Sequence, residues 1–201
     1  MVVNMEVVLA THNKHKIAEI SEKLGKTVLS ATDVGVDEIE ENGSTFEENA
    51  AIKAKAVWIP GRLAIADDSG LCVNALNGAP GIYSARYAGE PTNDQKNNEK
   101  LLAVLDGVED RSAYYVCVIV CFLPSGKKIV IRGETHGVML KEYRGNGGFG
   151  YDPLFLCNDT GKTFAEMTMT EKNAVSHRGK AVEAMIARLN EDPEIQKELC
   201  W

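Results

Sequence analysis

Apolar and polar positions alternate along the first thirty residues in a way that predicts a strand, a helix and a second strand. An apolar run near residues 5–10 is followed by a polar stretch, residues 14–24, in which isoleucine and leucine recur at helical spacing. Gly25 follows that stretch, and a second short apolar run covers residues 27–31. The pattern indicates a βαβ-like opening.

A helix near residues 46–59 is marked at both ends. Thr45 and Glu48 match a capping box, and Pro60-Gly61 follows the last helical position. Lys53 falls on the apolar stripe of this helix. A lysine in that position either extends its ammonium group along its stem to solvent or meets an anion, and the helix alone leaves both readings open.

The stretch "IADDSGLCVNAL", residues 65–76, sets two carboxylates side by side. It predicts a strand ending at Asp67, a turn at Ser69-Gly70 and a second short strand near residues 71–76. If the strand persists to its end, Asp67 and Asp68 point to opposite faces. Either residue is as readily a turn former as a ligand, although the carboxyl end of a strand is where α/β folds place ligands.

The rest of the chain continues the alternation of strands and helices. It predicts a helix near residues 93–105, then a long β-hairpin in which residues 113–124 and 127–140 are the two strands. The first of these strands is apolar on both faces and is therefore expected at the centre of the sheet. A helical stretch from residue 168 to about 190 breaks near Ser176. The prediction is an α/β fold with a mixed sheet.

Composition limits the classes of protein that remain. The chain has 201 residues, of which 44% are apolar and 25% charged, so we expect one globular domain. No apolar run approaches the roughly 20 residues needed to cross a bilayer, and the first residues lack the pattern of a signal peptide. We therefore expect neither a membrane span nor export.

Cysteine spacing and net charge narrow the picture further. The five cysteines are odd in number and form no Cys-x-x-Cys pair, which indicates neither a zinc site nor a disulfide framework and favours a reducing cytoplasm. The formal net charge of −7 argues against general nucleic-acid binding. A small polyanion remains possible as a ligand, since a few local cations or a metal ion could hold it.

Two glycine-containing motifs match nucleotide-binding patterns, but the residues around them do not fit such sites. "GNGGFG", residues 145–150, satisfies the dinucleotide-binding pattern, but Pro153 follows closely and disfavours the helix that this pattern must open. "TGKT", residues 160–163, resembles the end of a P-loop, but the required first glycine would fall at Leu156.

Three groups of polar residues each allow two interpretations, a ligand-binding role and a purely structural one. Thr11, Asn13 and Lys16 lie at the first strand-to-helix junction, where they either cap the helix or form a phosphate-binding site. The acidic run at residues 37–41 is either a solvated loop or, with Asp68, a site for Mg²⁺ that uses one or two carboxylates and substrate phosphates.

The third group lies at the start of the last long helix. Lys172, His177 and Arg178 cluster around Ser176, either as surface cations near a helix cap or as part of an anion site. Each of the three groups is weak evidence alone. Finding all of them at the ends of elements in one small domain favours the functional reading.

Five segments together closely resemble the inosine triphosphate pyrophosphatase family, in the expected order from near Val7 to near Leu189. They read "LATHNKHK", "TFEENAAIKAKA", "IADDSGLCVNALNGAPGIYSARYAG", "GGFGYDPLF" and "EKNAVSHRGKA". The resemblance implies an elongated mixed β-sheet flanked by helices, with two lobes and a central cleft, usually in a homodimer. It implies Mg²⁺-dependent hydrolysis of ITP, dITP and XTP to the nucleoside monophosphate and pyrophosphate, which removes these nucleotides from the pool.

The resemblance also implies roles for individual residues. Asp68 is the implied proton acceptor and Lys53 acts beside it; Glu40 and Asp68 are the implied magnesium ligands, with Glu41 as the alternative to Glu40. Asp67 could anchor Lys53 or a second metal ion. The implied substrate-binding residues are Thr11, His12, Asn13, Lys14, His15, Lys16, Ser69, Phe149, Gly150, Tyr151, Asp152, Lys172, His177 and Arg178.

Two other functions stay open at this point. One is a pyrophosphatase of similar fold that acts on pyrimidine or methylated nucleotides. The other is a catalytically silent nucleotide-binding module, against which the complete acidic set argues, because a pure binder has little use for a water-activating carboxylate.

Overall fold

The computed structural model describes residues 5–199 of the chain. The strands are β1 Val7–Leu9, β2 Val28–Ser30, β3 Leu63–Val73, β4 Ser112–Phe122, β5 Lys128–Met139 and β6 Phe155–Cys157. The α-helices are α1 Lys14–Leu24, α2 Phe46–Val57, α3 Asp94–Val104, α4 Met169–Val175, α5 His177–Glu191 and α6 Pro193–Leu199. Short 3-10 helices lie at Thr32–Val34, Asn74–Leu76, Gly81–Arg86 and Phe164–Glu166.

The six strands form one mixed sheet in the order β2-β1-β3-β4-β5-β6. β1 pairs in parallel with both β2 and β3, whereas β5 and β6 are antiparallel. β4 lies between β3 and β5, and a run of buried residues covers both of its faces, as the apolar sequence predicted. The α/β fold with a mixed sheet and flanking helices is confirmed.

The βαβ opening is confirmed as β1, α1 and β2. The residue after α1, Gly25, has a φ of 61°, a left-handed conformation that glycine adopts without steric cost. Val8 and Leu9 of β1 are almost fully buried. Because β1 pairs in parallel with a strand on each side, the loop that follows it lies at the carboxyl end of a strand inside the sheet.

The predicted turn at Ser69-Gly70 is wrong. β3 runs without interruption from Leu63 to Val73, so the two predicted strands are one, and residues 74–76 form a 3-10 helix instead. Buried apolar residues on both sides of the polar stretch hold the strand in the sheet, which outweighs the local turn preference of the sequence "DDSG". Asp67 and Asp68 are consequently consecutive residues of a continuous strand.

Helix boundaries follow the capping signals. The Thr45 side chain accepts a hydrogen bond from the Glu48 N–H, which confirms one half of the predicted capping box, but the Glu48 carboxylate accepts from the Ser44 N–H and not from that of Thr45. Ser176 adopts an extended conformation between α4 and α5, so the predicted break is confirmed. The sequence reasoning did not predict β6 or α6. Just before α6, the Asp192 carboxylate accepts from the N–H groups of Glu194 and Ile195.

The described chain divides into two compact units. Unit 1 contains the residues up to Asp68, Val118–Arg132 and the residues from Ala181, and unit 2 contains Ser69–Cys117 and Gly133–Lys180. Each has its own buried apolar side chains: Leu9, Ile65 and Ala50 are examples in unit 1. The core of unit 2 is built around Tyr115, Phe155 and Phe164. The expectation of a single domain over residues 1–201 with a central cleft stays a prediction.

The two rejected glycine motifs are loops. "GNGGFG" leads into turns and then β6 without opening a helix, and "TGKT" lies between β6 and the 3-10 helix at Phe164–Glu166. Across residues 5–199, no helix combines the length and apolar character needed to cross a bilayer.

Candidate active site

In unit 1, the loop after β1 is folded by its own polar side chains. The Thr11 Oγ1 accepts a hydrogen bond from the Asn13 N–H at 3.2 Å, and the Asn13 Oδ1 accepts from the Lys16 N–H at 3.3 Å. Asn13 therefore caps α1, which satisfies one of the N–H groups that a helix start leaves without a partner. This cap fixes the first turn of α1, where Lys16 projects.

Lys16 is bound to the first of the two adjacent carboxylates. Its Nζ lies 2.9 Å from both Oδ1 and Oδ2 of Asp67, and the two side chains are only 24% and 10% exposed. Asp67 was expected to anchor Lys53 or a second metal ion. The structure gives it a different cation, on α1.

The segment contains three further predicted residues, His12, Lys14 and His15. His12 is exposed, and its Nδ1 lies 3.0 Å from the Thr32 Oγ1. Lys14 is exposed at the start of α1. His15 lies in α1, but its side chain is outside the described part of the structure. Contacts of these three residues with a substrate stay predictions.

Lys53 lies between two carboxylates. Its Nζ is 2.8 Å from the Glu41 Oε2 and 3.5 Å from the Asp68 Oδ1, with only 14% of the Lys53 side chain exposed. Burial by itself lowers the pKa of Lys53, but the negative charges of Asp68 and Glu41 outweigh burial and raise it. The ammonium group is therefore charged, and the reading of Lys53 as a residue with anionic company is confirmed.

Asp68 is held differently from a surface carboxylate. Burial raises its pKa, the Lys53 charge lowers it, the Glu41 charge raises it again, and the net result is a pKa above the ordinary value. The Asp68 Oδ2 also accepts a hydrogen bond from the Asn49 Nδ2 at 3.2 Å. A partly buried carboxylate with a raised pKa is a better proton acceptor than an ordinary aspartate.

The carboxylates of this cluster suit a hard cation such as Mg²⁺. Within residues 5–199, no three His, Cys, Asp or Glu side chains gather closely enough to form a complete metal cage. One or two carboxylates with substrate phosphates is the arrangement that Mg²⁺ commonly uses. Glu41, not the exposed Glu40, reaches Lys53 beside Asp68, and the assignment of Glu40 as a ligand stays a prediction.

In unit 2, the loop at residues 149–152 is organised by one buried carboxylate. The Asp152 Oδ2 accepts hydrogen bonds from the Phe149 N–H at 2.9 Å and from the Lys172 Nζ at 2.5 Å. Burial raises the pKa of Asp152, and the Lys172 charge lowers it without cancelling that rise. A Cβ on Gly148, whose φ is 74°, would collide with the Asp152 side chain, so this turn requires glycine.

The same arrangement leaves one aromatic face exposed. Phe149 is 66% exposed, and the Lys172 Nζ lies 4.5 Å from the centre of its ring. An exposed ring beside a cation is suited to stacking on a flat, electron-rich group. Gly150 and Tyr151 hold the loop in place, since the Gly150 N–H donates to Asp94 and the buried Tyr151 hydroxyl donates to the Ser84 carbonyl.

The predicted cations at the start of α5 are both built into unit 2. His177 is 8% exposed, and its ring is stacked on Tyr115 with ring centres 4.7 Å apart and planes 9° apart. Tyr115 in turn stacks on Phe164. The Arg178 Nη2 donates to the Ser69 Oγ at 3.2 Å. Sequence reasoning had named His177, Arg178 and Ser69 but not the aromatic residues that fix His177.

Comparison with known proteins identifies the family of this chain. The sequence profile of the Ham1 family matches residues 7–188. The chain belongs to the Ham1 family. A dITP/XTP pyrophosphatase from Clostridium perfringens is 52% identical over 191 residues, which cover 89% of this chain and 94% of that protein. A dITP/XTP pyrophosphatase from Desulforamulus reducens is 50% identical, with 92% and 96% covered.

Solved structures agree with the family assignment. A HAM1 protein from Coxiella burnetii superposes with a TM-score of 0.88 at 42% identity, covering 94% of this chain and all of that chain. The coverage includes both compact units of this Ham1 protein, so the likeness is not confined to one of them.

One residue that contacts the Asp68 carboxylate, Asn49, was not predicted from the sequence. Asn49 is 2% exposed, in a helix, one turn before Lys53. Asparagine is a poor residue for a helix interior, and its spacing of four from Lys53 was the available signal. Without a fold, that signal does not distinguish a buried ligand of Asp68 from a surface position.

Proposed function

We propose that this Ham1 protein hydrolyses the non-standard purine nucleoside triphosphates ITP, dITP and XTP to the nucleoside monophosphate and pyrophosphate. The observation that carries the proposal is the cluster of Lys53, Asp68 and Asn49, a partly buried carboxylate held by two donors, in a chain about half identical to proteins named dITP/XTP pyrophosphatase. Such an enzyme removes these nucleotides before they enter DNA or RNA.

Asp68 is the residue we assign to water activation. Its pKa is raised, so it accepts a proton more readily than an exposed aspartate, and Lys53 keeps it oriented and partly compensated in charge. The proton of the attacking water passes to a carboxylate oxygen of Asp68 as the water attacks the α-phosphorus. The bond to the pyrophosphate leaving group then breaks.

The triphosphate requires cations, and unit 1 offers two lysines and a helix start. The N–H groups of the first turn of α1 favour an anion, and Lys16 adds a full charge there. Mg²⁺, when bound by Asp68 with Glu40 or Glu41, would neutralise charge that develops on the phosphate oxygens. Lys53 and Lys16, each already paired with its own carboxylate, are restrained before the substrate arrives, which reduces the entropy lost on binding.

The base is assigned to the residues of unit 2. Phe149 offers an exposed ring for stacking, and Arg178 offers donors and no acceptor for an oxygen at position 6 of the purine. Adenine carries an amino group at that position, so a donor in the protein would face a donor in the base. A mismatch of that kind costs a large factor in kcat/KM when it is buried.

The experiment that tests the proposal is a product analysis. The protein is incubated with ITP and Mg²⁺, and nucleoside monophosphate, pyrophosphate and orthophosphate are quantified separately. Equal amounts of IMP and pyrophosphate support the proposal, whereas IDP and orthophosphate contradict it. Pyrimidine and methylated nucleotides in the same assay test the related pyrophosphatase activities.

The dimer, the cytoplasmic location and the use of Mg²⁺ are parts of the proposal that rest on resemblance. A homodimer is expected, with no nucleic acid or membrane among the partners. Light scattering at micromolar concentration tests the dimer directly, and a molar mass near that of one 21.9 kDa chain would contradict it.

A further inference from the structure

A buried amide lies directly behind the carboxylate that we assign to water activation. Asn49 is 2% exposed, and both of its polar atoms are bonded. Its Oδ1 accepts from the Gly43 N–H at 2.8 Å, and its Nδ2 donates to the Asp68 Oδ2 at 3.2 Å. Because a main-chain N–H can only donate, the Gly43 contact fixes which end of the amide is the oxygen, and the amino group must face Asp68.

Asn49 and Lys53 divide the two oxygens of Asp68 between them. Residues four apart lie on the same face of a helix, so α2 presents one donor to Oδ2 and a second, the Lys53 ammonium, to Oδ1 at 3.5 Å. Two donors on separate oxygens oppose rotation of the carboxylate group about its last single bond. The amide achieves this without adding a second positive charge, which would lower the basicity of the carboxylate.

Asn49 also ties the acidic loop to α2. A Cβ built on Gly43 would lie 2.7 Å from the Asn49 Oδ1 and 2.7 Å from the Glu48 Cβ, so only glycine allows this approach. The loop that contains Gly43 also carries Glu41, whose carboxylate binds Lys53. The Asn49 side chain thus contacts both the Asp68 carboxylate and the loop that carries Glu41.

We propose that Asn49 is a positioning residue for the hydrolysis: it holds the Asp68 carboxylate in the orientation needed for water attack. The inference rests on the proposed function, since it assigns the proton acceptor role to Asp68. Misplacement of a reacting group by about 1 Å can cost on the order of a hundredfold in rate. Loss of Asn49 is therefore expected to lower kcat much more than it raises KM.

Two variants separate the contact with Asp68 from the contact with the loop. Asn49→Ala removes both hydrogen bonds, whereas Asn49→Asp keeps an acceptor for the Gly43 N–H and loses the donor to Asp68. We expect kcat for ITP to fall about 10- to 100-fold in both, with KM for ITP in Asn49→Ala within about threefold of the wild-type value. If Asn49→Asp keeps the wild-type kcat, the loop contact alone matters and the proposal is wrong.

Asn97 supplies a matched control. It is also 2% exposed in a helix, and its amide also makes two hydrogen bonds, but both partners are main-chain groups, Ala88 N–H at 2.7 Å and Ala85 O at 2.9 Å. Asn97→Ala should lower the melting temperature while leaving kcat unchanged well below that temperature. Rates are expressed per folded molecule, measured by circular dichroism, and Asn49→Ser is assayed under the same criteria should Asn49→Ala not fold.

A binding measurement that requires no turnover completes the test. Calorimetric titration of ITP in EDTA should give Asn49→Ala a dissociation constant within about threefold of wild type, because the residues assigned to the phosphates and base are unchanged. A kcat of Asn49→Ala within twofold of wild type overturns the proposal, as does an equal loss in Asn97→Ala. Wild-type protein that fails to hydrolyse ITP refutes the proposed function itself, whereas active wild type with active Asn49→Ala refutes only the role of Asn49.

Discussion

Replacement of Asp67 by asparagine tests whether the two adjacent carboxylates serve separate lysines. The change keeps the volume of the side chain and removes the charge that binds the Lys16 ammonium through both oxygens. Exposed ion pairs contribute about 0–1 kcal/mol, and breaking a fully buried pair costs about 3–5 kcal/mol. With 10% and 24% of the two side chains exposed, we expect an intermediate loss of about 1–3 kcal/mol.

This loss is measurable as a lower melting temperature. A chain of this size shifts by roughly 2–4 °C per kcal/mol, so Asp67→Asn should melt roughly 2–12 °C below wild type. Glu47→Gln is the matched control in the same unit. The Glu47 carboxylate pairs with Lys128 at 2.7 Å, but both side chains are nearly half exposed, and its removal should shift the melting temperature by no more than a few degrees.

Kinetics distinguish a lysine anchor from a metal ligand. A hydrogen bond to a charged group contributes about 1.5–3 kcal/mol when it is fully lost, and in Asp67→Asn the Lys16 ammonium is still present but less restrained. We therefore expect KM for ITP to rise about three- to thirtyfold with kcat and the Mg²⁺ requirement nearly unchanged. A loss of kcat with a higher Mg²⁺ requirement, or an unchanged melting temperature and KM, would refute this account of Asp67.

Three further substitutions test other parts of the site and fold. Asp68→Asn should lower kcat for ITP on the order of a hundredfold or more, because it removes the assigned base at nearly constant volume; near-normal turnover contradicts the assignment. Lys172→Met leaves the Asp152 carboxylate, which is only 3% exposed, buried without its cation. The free energy of unfolding measured in urea should therefore fall by about 3–5 kcal/mol, and the double variant with Asp152→Asn should recover most of that loss. Hydrogen bonds from Lys162 and then Thr168 lower the pKa of Glu171 to about 2, so the stability that the Glu171 carboxylate contributes is present above the unfolded pKa near 4.5 and is lost as pH falls toward 2. The difference in melting temperature between wild type and Glu171→Gln should therefore shrink as pH falls across that range. A difference that stays constant would contradict the lowered pKa.

The regular parts of the fold were predictable because their signals are local. The helical spacing and the glycine that mark α1, and the Thr45 cap of α2, depend on neighbours within one or two turns. The stretch "DDSG" gave a wrong prediction because its residues favour a turn locally. The structure there is decided instead by the pairing of β3 with its neighbours in the sheet and by the burial of the residues that flank this stretch.

Pairings within the candidate site were not predictable from the sequence. Resemblance named Lys16, Lys53 and Asp68, but Lys16 binds a carboxylate 51 residues away and Lys53 one that is 15 residues away, and no local pattern specifies such pairings. Glu41 reaches Lys53 although its neighbour Glu40 was the residue named, because a loop has no periodicity from which side-chain direction follows.

The measurement that tests the central claim most directly is the comparison of kcat/KM for ITP, XTP, GTP and ATP with Mg²⁺, with pyrophosphate and orthophosphate assayed separately. The account predicts that ITP and XTP are hydrolysed far faster than ATP, by up to about 10⁴-fold, with weaker discrimination against GTP, which shares the 6-oxygen. It predicts pyrophosphate as the primary product. Comparable rates for ATP and ITP, or orthophosphate released first, would contradict it.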